Sequence, residues 1–226
     1  MTRFGFSITR GAHHIFVFVL GVFLAVDLLF MVMHVMSNDK VVVWSLGQDR
    51  SFSERYQYLK AVAGAGTLLT LFWQRRSLTY LGWGLALLFI FVDDAFFLHE
   101  RATDALLNAS APTIWGLSAH DYGAMVLWAV VGLALLLPLG LGYLQDPTTR
   151  RVSRHFFFLL ALLFLCGGVI DMVREIAKDF ENPLLRYIFK RTILVEDGGE
   201  LIMVSFFAAL SLRQLFKERQ VLQRIV

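Results

Sequence analysis

The chain of 226 residues is 57% hydrophobic and only 17% charged, with a mean hydropathy of +0.62, against roughly 25% charged residues in ordinary soluble domains. These values exclude a soluble globular domain and a disordered chain, and a single cysteine, Cys166, excludes a disulfide scaffold. The formal net charge of +3 comes from basic residues scattered at the ends of apolar runs, a placement that fits membrane anchoring and not a nucleic-acid-binding face.

Stretches of about 20 mainly apolar residues predict an all-α integral membrane protein, a single domain with six transmembrane helices near 13–36, 57–74, 78–99, 121–144, 155–177 and 193–213. The first follows Arg3 and Arg10 but lacks a small-residue cleavage site and carries Asp27, so it reads as a retained helix. The second is the least apolar; Ala61, Gly64, Ala65 and Gly66 give it a small-residue surface for close helix packing. A short polar break at Gln74–Ser77 makes spans two and three a tight antiparallel hairpin. Pro138 predicts a kink in the fourth span. Before the sixth, Pro183 opens a short interfacial helix with Leu184, Leu185, Ile188 and Phe189 beside Arg186, Lys190 and Arg191. Basic short connectors place both termini in the cytoplasm, in a plasma or inner membrane.

The acidic residues carry the functional signal. Of the 18 Asp and Glu residues, all but Asp146 and Glu218 fall toward the membrane face opposite the termini when the chain is followed up and down. Asp27 and His34 occupy the later part of span one, and Asp93, Asp94, His99 and Glu100 close span three. His120 and Asp121 open span four, Asp171 and Glu175 close span five, and Glu196, Asp197 and Glu200 open span six. Asp27 and His34, at i and i+7, lie about 20° apart in helical projection, and Asp93, His99 and Glu100 share an arc of about 120° on a continuous helix. Gly167 and Gly168 flank the Asp171 face and admit a close neighbour.

An acidic residue at the centre of a membrane helix costs on the order of 2.5 to 3.5 kcal/mol, so these groups must meet protons, a metal ion or a base such as Lys60, Arg101, Arg174 or Lys178. Mixed carboxylates and imidazoles suit a divalent transition metal such as zinc, iron or manganese, held by Asp27, His34, Asp93, His99, Glu196 and Glu200. Glu100 or Asp171 then serves as the general base of a metal-dependent membrane enzyme, a hydrolase or an oxidase, acting on a lipid or other membrane-adjacent substrate. No Glu-x-x-His, His-Glu-x-x-His or Cys-x-x-Cys spacing fixes the metal. The same acids also suit proton- or cation-coupled transport or sensing. A third reading is an assembly subunit that bonds to a membrane-protein partner or a second copy. Membrane lipids are the expected surroundings and nucleic acid is not a partner. Gly116–His120 holds a serine near a histidine but no nucleophile elbow.

Overall fold

The computed structural model describes residues 3–37, 41–106, 119–170, 172–173 and 192–222. Among these are seven α-helices and no strand: α1 (Arg3–Ser37), α2 (Phe52–Arg75), α3 (Leu78–Phe96), α4 (Leu98–Leu106), α5 (Ala119–Gln145), α6 (Arg150–Phe164) and α7 (Ile193–Leu222). A 3-10 turn, Val42–Trp44, follows α1, and a π-helical turn, Leu165–Ile170, continues α6. The interfacial helix expected after Pro183 lies outside the described residues, as do Asp171 and Glu175.

Local sequence sets the helix ends. Ser51 caps α2 by accepting the Glu54 N–H at 3.3 Å, and the Glu54 carboxylate turns back to accept the Arg50 N–H. The helix stops at Arg76, whose left-handed φ of 54° lets its N–H return to the Phe72 carbonyl. Leu78 then starts α3, giving the expected tight hairpin, and α2 and α3 pack along their length. A matching turn joins α5 to α6, and the two turns are tied together. Ser77 Oγ donates to Asp146 Oδ2 at 2.9 Å and the Thr79 and Thr149 hydroxyls bond at 2.9 Å. Burial works against ionisation of Asp146, but hydrogen bonds from the Thr148 and Ser77 hydroxyls and from the Thr148 and Thr149 amides outweigh it and hold the carboxyl below its usual 3.8. Here α5 presses so closely on α3 that a Cβ on Gly142 would overlap the Thr79 amide. Helix α5 continues through Pro138.

The centre of the bundle is α7, which packs on α1, α2, α6 and the π-helical turn, while α3 packs on α2 and α5. The core is aromatic. Trp83 of α3 lies 5.3 Å from the Phe156 ring and 4.7 Å from Phe157, Phe156 stacks on Phe207 of α7 at 5.4 Å, and the Trp83 indole N–H donates to Ser153 Oγ at 3.0 Å.

Four segments are long and apolar enough to cross a membrane: Gly11–Ser37, Leu78–Phe96, Gly123–Gln145 and Arg150–Ile170. They meet four of the six expected spans. The other two, 57–74 and 193–213, fall in α2 and α7, which are helical but more polar. Their polarity has a place to go. The buried face of α2 carries Ser53, Gln57, Lys60, Gly64 and Thr67, and that of α7 carries Ser205, Ser211 and Gln214, so protein and not lipid surrounds these groups. The third span is shorter than expected. It ends at Phe96 because Phe97 takes a left-handed φ of 54°, and Leu98 begins a separate helix.

Candidate functional site

Polar side chains of α1, α2, α3 and α7 form two layers. In the deeper one, Lys60 of α2 donates to Asp27 Oδ1 of α1 at 2.7 Å, to Ser205 Oγ of α7 at 2.7 Å and to the Leu201 carbonyl at 2.8 Å. Ser205 Oγ donates to Asp27 Oδ2 at 2.5 Å. Asp27 and Lys60 are each 1% exposed and Ser205 is 0% exposed, so the layer is dry. All three ammonium hydrogens have acceptors, and the Tyr56 ring centroid lies 4.5 Å from Nζ. Both Asp27 oxygens are therefore engaged by Lys60 and Ser205, which is the pairing with a base weighed for the buried acids.

The second layer lies five residues earlier on α7, about 7.5 Å along its axis. Gln57, one turn before Lys60 on α2, reaches it and donates to Glu200 Oε2 at 3.4 Å. The carboxylates of Asp94, Asp197 and Glu196 all lie within electrostatic reach of Glu200. Around Asp94 stand Glu54, Asp93 and Asp197, with the His99 imidazole as the opposing charge. The Tyr58 hydroxyl donates to Glu54. The fit of Glu200 depends on Gly167 in the π-helical turn: a Cβ there would overlap Glu200 Oε1. A π-helical turn with a glycine notch around a carboxylate is the kind of local irregularity that recurs at functional sites. Glu196, 6% exposed, sits in the first turn of α7, where the helix dipole favours negative charge, and Asp197 follows it.

The structure separates several residues expected to act together. The break at Phe97 removes the continuous helix on which Asp93, His99 and Glu100 were phased. Asp93 instead caps α4, accepting the His99 N–H on Oδ1 at 2.9 Å and meeting His99 Nδ1 with Oδ2 at 3.2 Å. Glu100 lies in the first turn of α4, and its charge bears on His99. His34, on the inward face of α1 with Asp27 as the phase predicted, accepts the Leu46 N–H on Nδ1 at 3.2 Å and so holds the connector after α1. His120 and Asp121 begin α5, and their side chains are outside the described set. Among the described residues no group of three or more His, Cys, Asp or Glu side chains is placed to hold a metal ion.

Ser205 and Gln57 are site residues that the reading of acids and histidines passed over. Gln57 was legible as a polar position one turn from Lys60 and two from Gly64, on a stripe of α2 with helical period. Ser205 had no comparable signal, since serine is common in membrane helices.

The bond to Asp93 holds the His99 imidazole above its usual 6.5, against the opposing effect of burial, and the charges of Asp93, Glu100 and Asp94 act in the same sense. A raised value in the folded state means that this pair contributes fully below about 6.5 and that the contribution fades as pH rises through the folded value. The melting-temperature gap between wild type and His99→Gln in detergent is therefore expected to be widest below pH 6.5 and to narrow on alkalinisation. A gap that is flat or widens with pH would remove the charged pair from the account.

Residues 14–214 match the family described as a domain of unknown function, DUF8692. The chain belongs to that family. The matched stretch runs from α1 to α7 and includes both polar layers, so the site and the family share one extent. No curated protein and no solved structure matches the chain.

Proposed function

We propose that the protein is a six-span membrane protein, with α2 and α7 as the two inner spans, that takes up protons or a small cation at the Glu200 layer for transport or sensing. The observation that carries this reading is the setting of Glu200. It is notched into Gly167, bonded to the neutral Gln57 amide, and surrounded by the charges of Asp94, Asp197 and Glu196. Carboxylates gathered in a partly buried site are tolerated when protons or a cation neutralise them. The deeper layer supports the same division of labour, because Lys60 satisfies Asp27 and leaves the cation-binding capacity to the layer above it.

The test is flux into proteoliposomes loaded with a pH-sensitive dye, under an imposed proton or sodium gradient. Wild type is expected to relax the gradient and Glu200→Gln to slow it at least about tenfold, since the amide keeps the volume and loses the titratable group. Wild-type flux equal to protein-free vesicles would overturn the reading. Elemental mass spectrometry on the same preparation examines the metal-dependent enzyme directly: near-stoichiometric zinc, iron or manganese, lost in Glu196→Ala/Glu200→Ala, would replace transport with that activity.

A further inference from the structure

Two basic side chains in the first turns of α6 lack the kind of partner that Arg150, Arg75, Arg76 and Arg213 have. Arg150 caps the preceding helix, donating from Nε to the Tyr143 carbonyl at 2.8 Å and from a terminal nitrogen to Leu144 at 3.3 Å. Arg75 pairs with Glu218, Arg76 stacks on Trp73, and Arg213 lies over the Phe16 ring. The Arg151 and Arg154 side chains are exposed and have no hydrogen-bond or ion-pair partner among the described residues. With His155 and Phe158 they line a groove of about 320 Å³.

The four positions are i, i+3, i+4 and i+7 and share an arc of about 100° on one face of the helix. His155 Nδ1–H donates to the Arg151 carbonyl at 2.6 Å, which leaves Nε2 available at the rim. The first turn of α6 holds no acidic residue. One turn deeper along the same face Phe158 is 64% exposed, and the helix continues as the apolar segment Arg150–Ile170, able to cross a membrane. Cationic side chains at a helix end, followed by an outward aromatic on the same stripe, match a ligand with a negative headgroup and an apolar tail.

We propose that this groove binds an anionic phospholipid, with Arg151 and Arg154 on the headgroup phosphate and Phe158 against the first part of an acyl chain. Guanidinium groups suit the phosphate because their planar donors engage two oxygens at once. The site is independent of the Glu200 layer and holds whether or not that layer carries flux.

The experiment is native mass spectrometry of the full chain in neutral detergent with added phosphatidylglycerol, compared with phosphatidylcholine and with inorganic phosphate. Wild type is expected to retain phosphatidylglycerol selectively. Arg151→Gln/Arg154→Gln is expected to weaken that retention on the order of thirtyfold, because each basic residue near an anionic surface is worth roughly fivefold. Arg151→Lys/Arg154→Lys, which keeps the charge and loses the planar fork, is expected to fall between the two. The exposed positions of both arginines leave the fold intact, which an unchanged elution volume and far-ultraviolet spectrum verify. Equal retention of phosphatidylcholine, unchanged retention by the glutamine variant, or displacement of the lipid by inorganic phosphate would each overturn the proposal.

Discussion

Replacing Lys60 with methionine is expected to destabilise the bundle by about 3 to 5 kcal/mol, because it strands the Asp27 carboxylate in a site with no solvent. The geometry makes Lys60 the stronger test of the deeper layer. It donates to Asp27, Ser205 and the Leu201 carbonyl, so its loss removes three bonds that join α2 to α1 and α7. Asp27→Asn keeps a polar group of the same shape and still accepts from Ser205 or Lys60. The double variant Asp27→Asn/Lys60→Met is therefore expected to be more stable than Lys60→Met alone, a non-additivity that a double-mutant cycle in denaturant-titrated micelles reads directly. Additive single effects would mean that Asp27 and Lys60 do not act as a pair.

The second large effect is expected at Gly167. An added methyl group overlaps Glu200 Oε1, and overpacking of this kind costs about 1 to 3 kcal/mol. Gly167→Ala should therefore both lower the melting temperature and displace the carboxylate, reducing flux about as much as Glu200→Gln does. In a Glu200→Ala background the stability cost should largely vanish, since the colliding atoms are gone. Two other glycines serve as controls. At Gly168 the added carbon meets only the edge of the Phe164 ring at 3.1 Å, and at Gly132 it meets nothing within 4 Å. If Gly167→Ala melts and transports like Gly132→Ala, the notch has no functional role.

Much of this was legible from residue order. Co-depth of acids along an alternating path brings Glu196 and Glu200 to one end of the bundle, and the i, i+7 spacing turns Asp27 and His34 to the interior, whereas helical phase points Asp94 elsewhere and leaves Asp197 as a helix-start residue, although both bear on Glu200. Two kinds of information were missing. Helical phase assumes an unbroken helix, and nothing in the run Asp93–Glu100 announces that Phe97 adopts a left-handed conformation usually left to glycine or asparagine. Partner choice is the other. Residues of one chemical type cluster by depth, but whether a carboxylate meets lysine, histidine or another carboxylate depends on which helices are neighbours. That arrangement is set by packing of Trp83, Phe156 and Phe207, far from the acids in sequence. For the same reason hydropathy rates α2 and α7 low: it measures suitability for lipid, and the polar faces of these helices meet protein instead.

The pairing of Lys60 also dictates an order of assembly. Its carboxylate partner, on α1, is synthesised before it, while Ser205 and the Leu201 carbonyl belong to α7, some 140 residues later. Until α7 arrives, two of the three ammonium hydrogens have no native acceptor, and the first two helices carry an incompletely sheltered charge pair through most of translation. Such long-range closure is slow to reach and exposes intermediates. A ribosome-bound chain stopped short of α7 should accordingly be held by membrane chaperones or degraded, and its release should depend on the moment at which α7 docks.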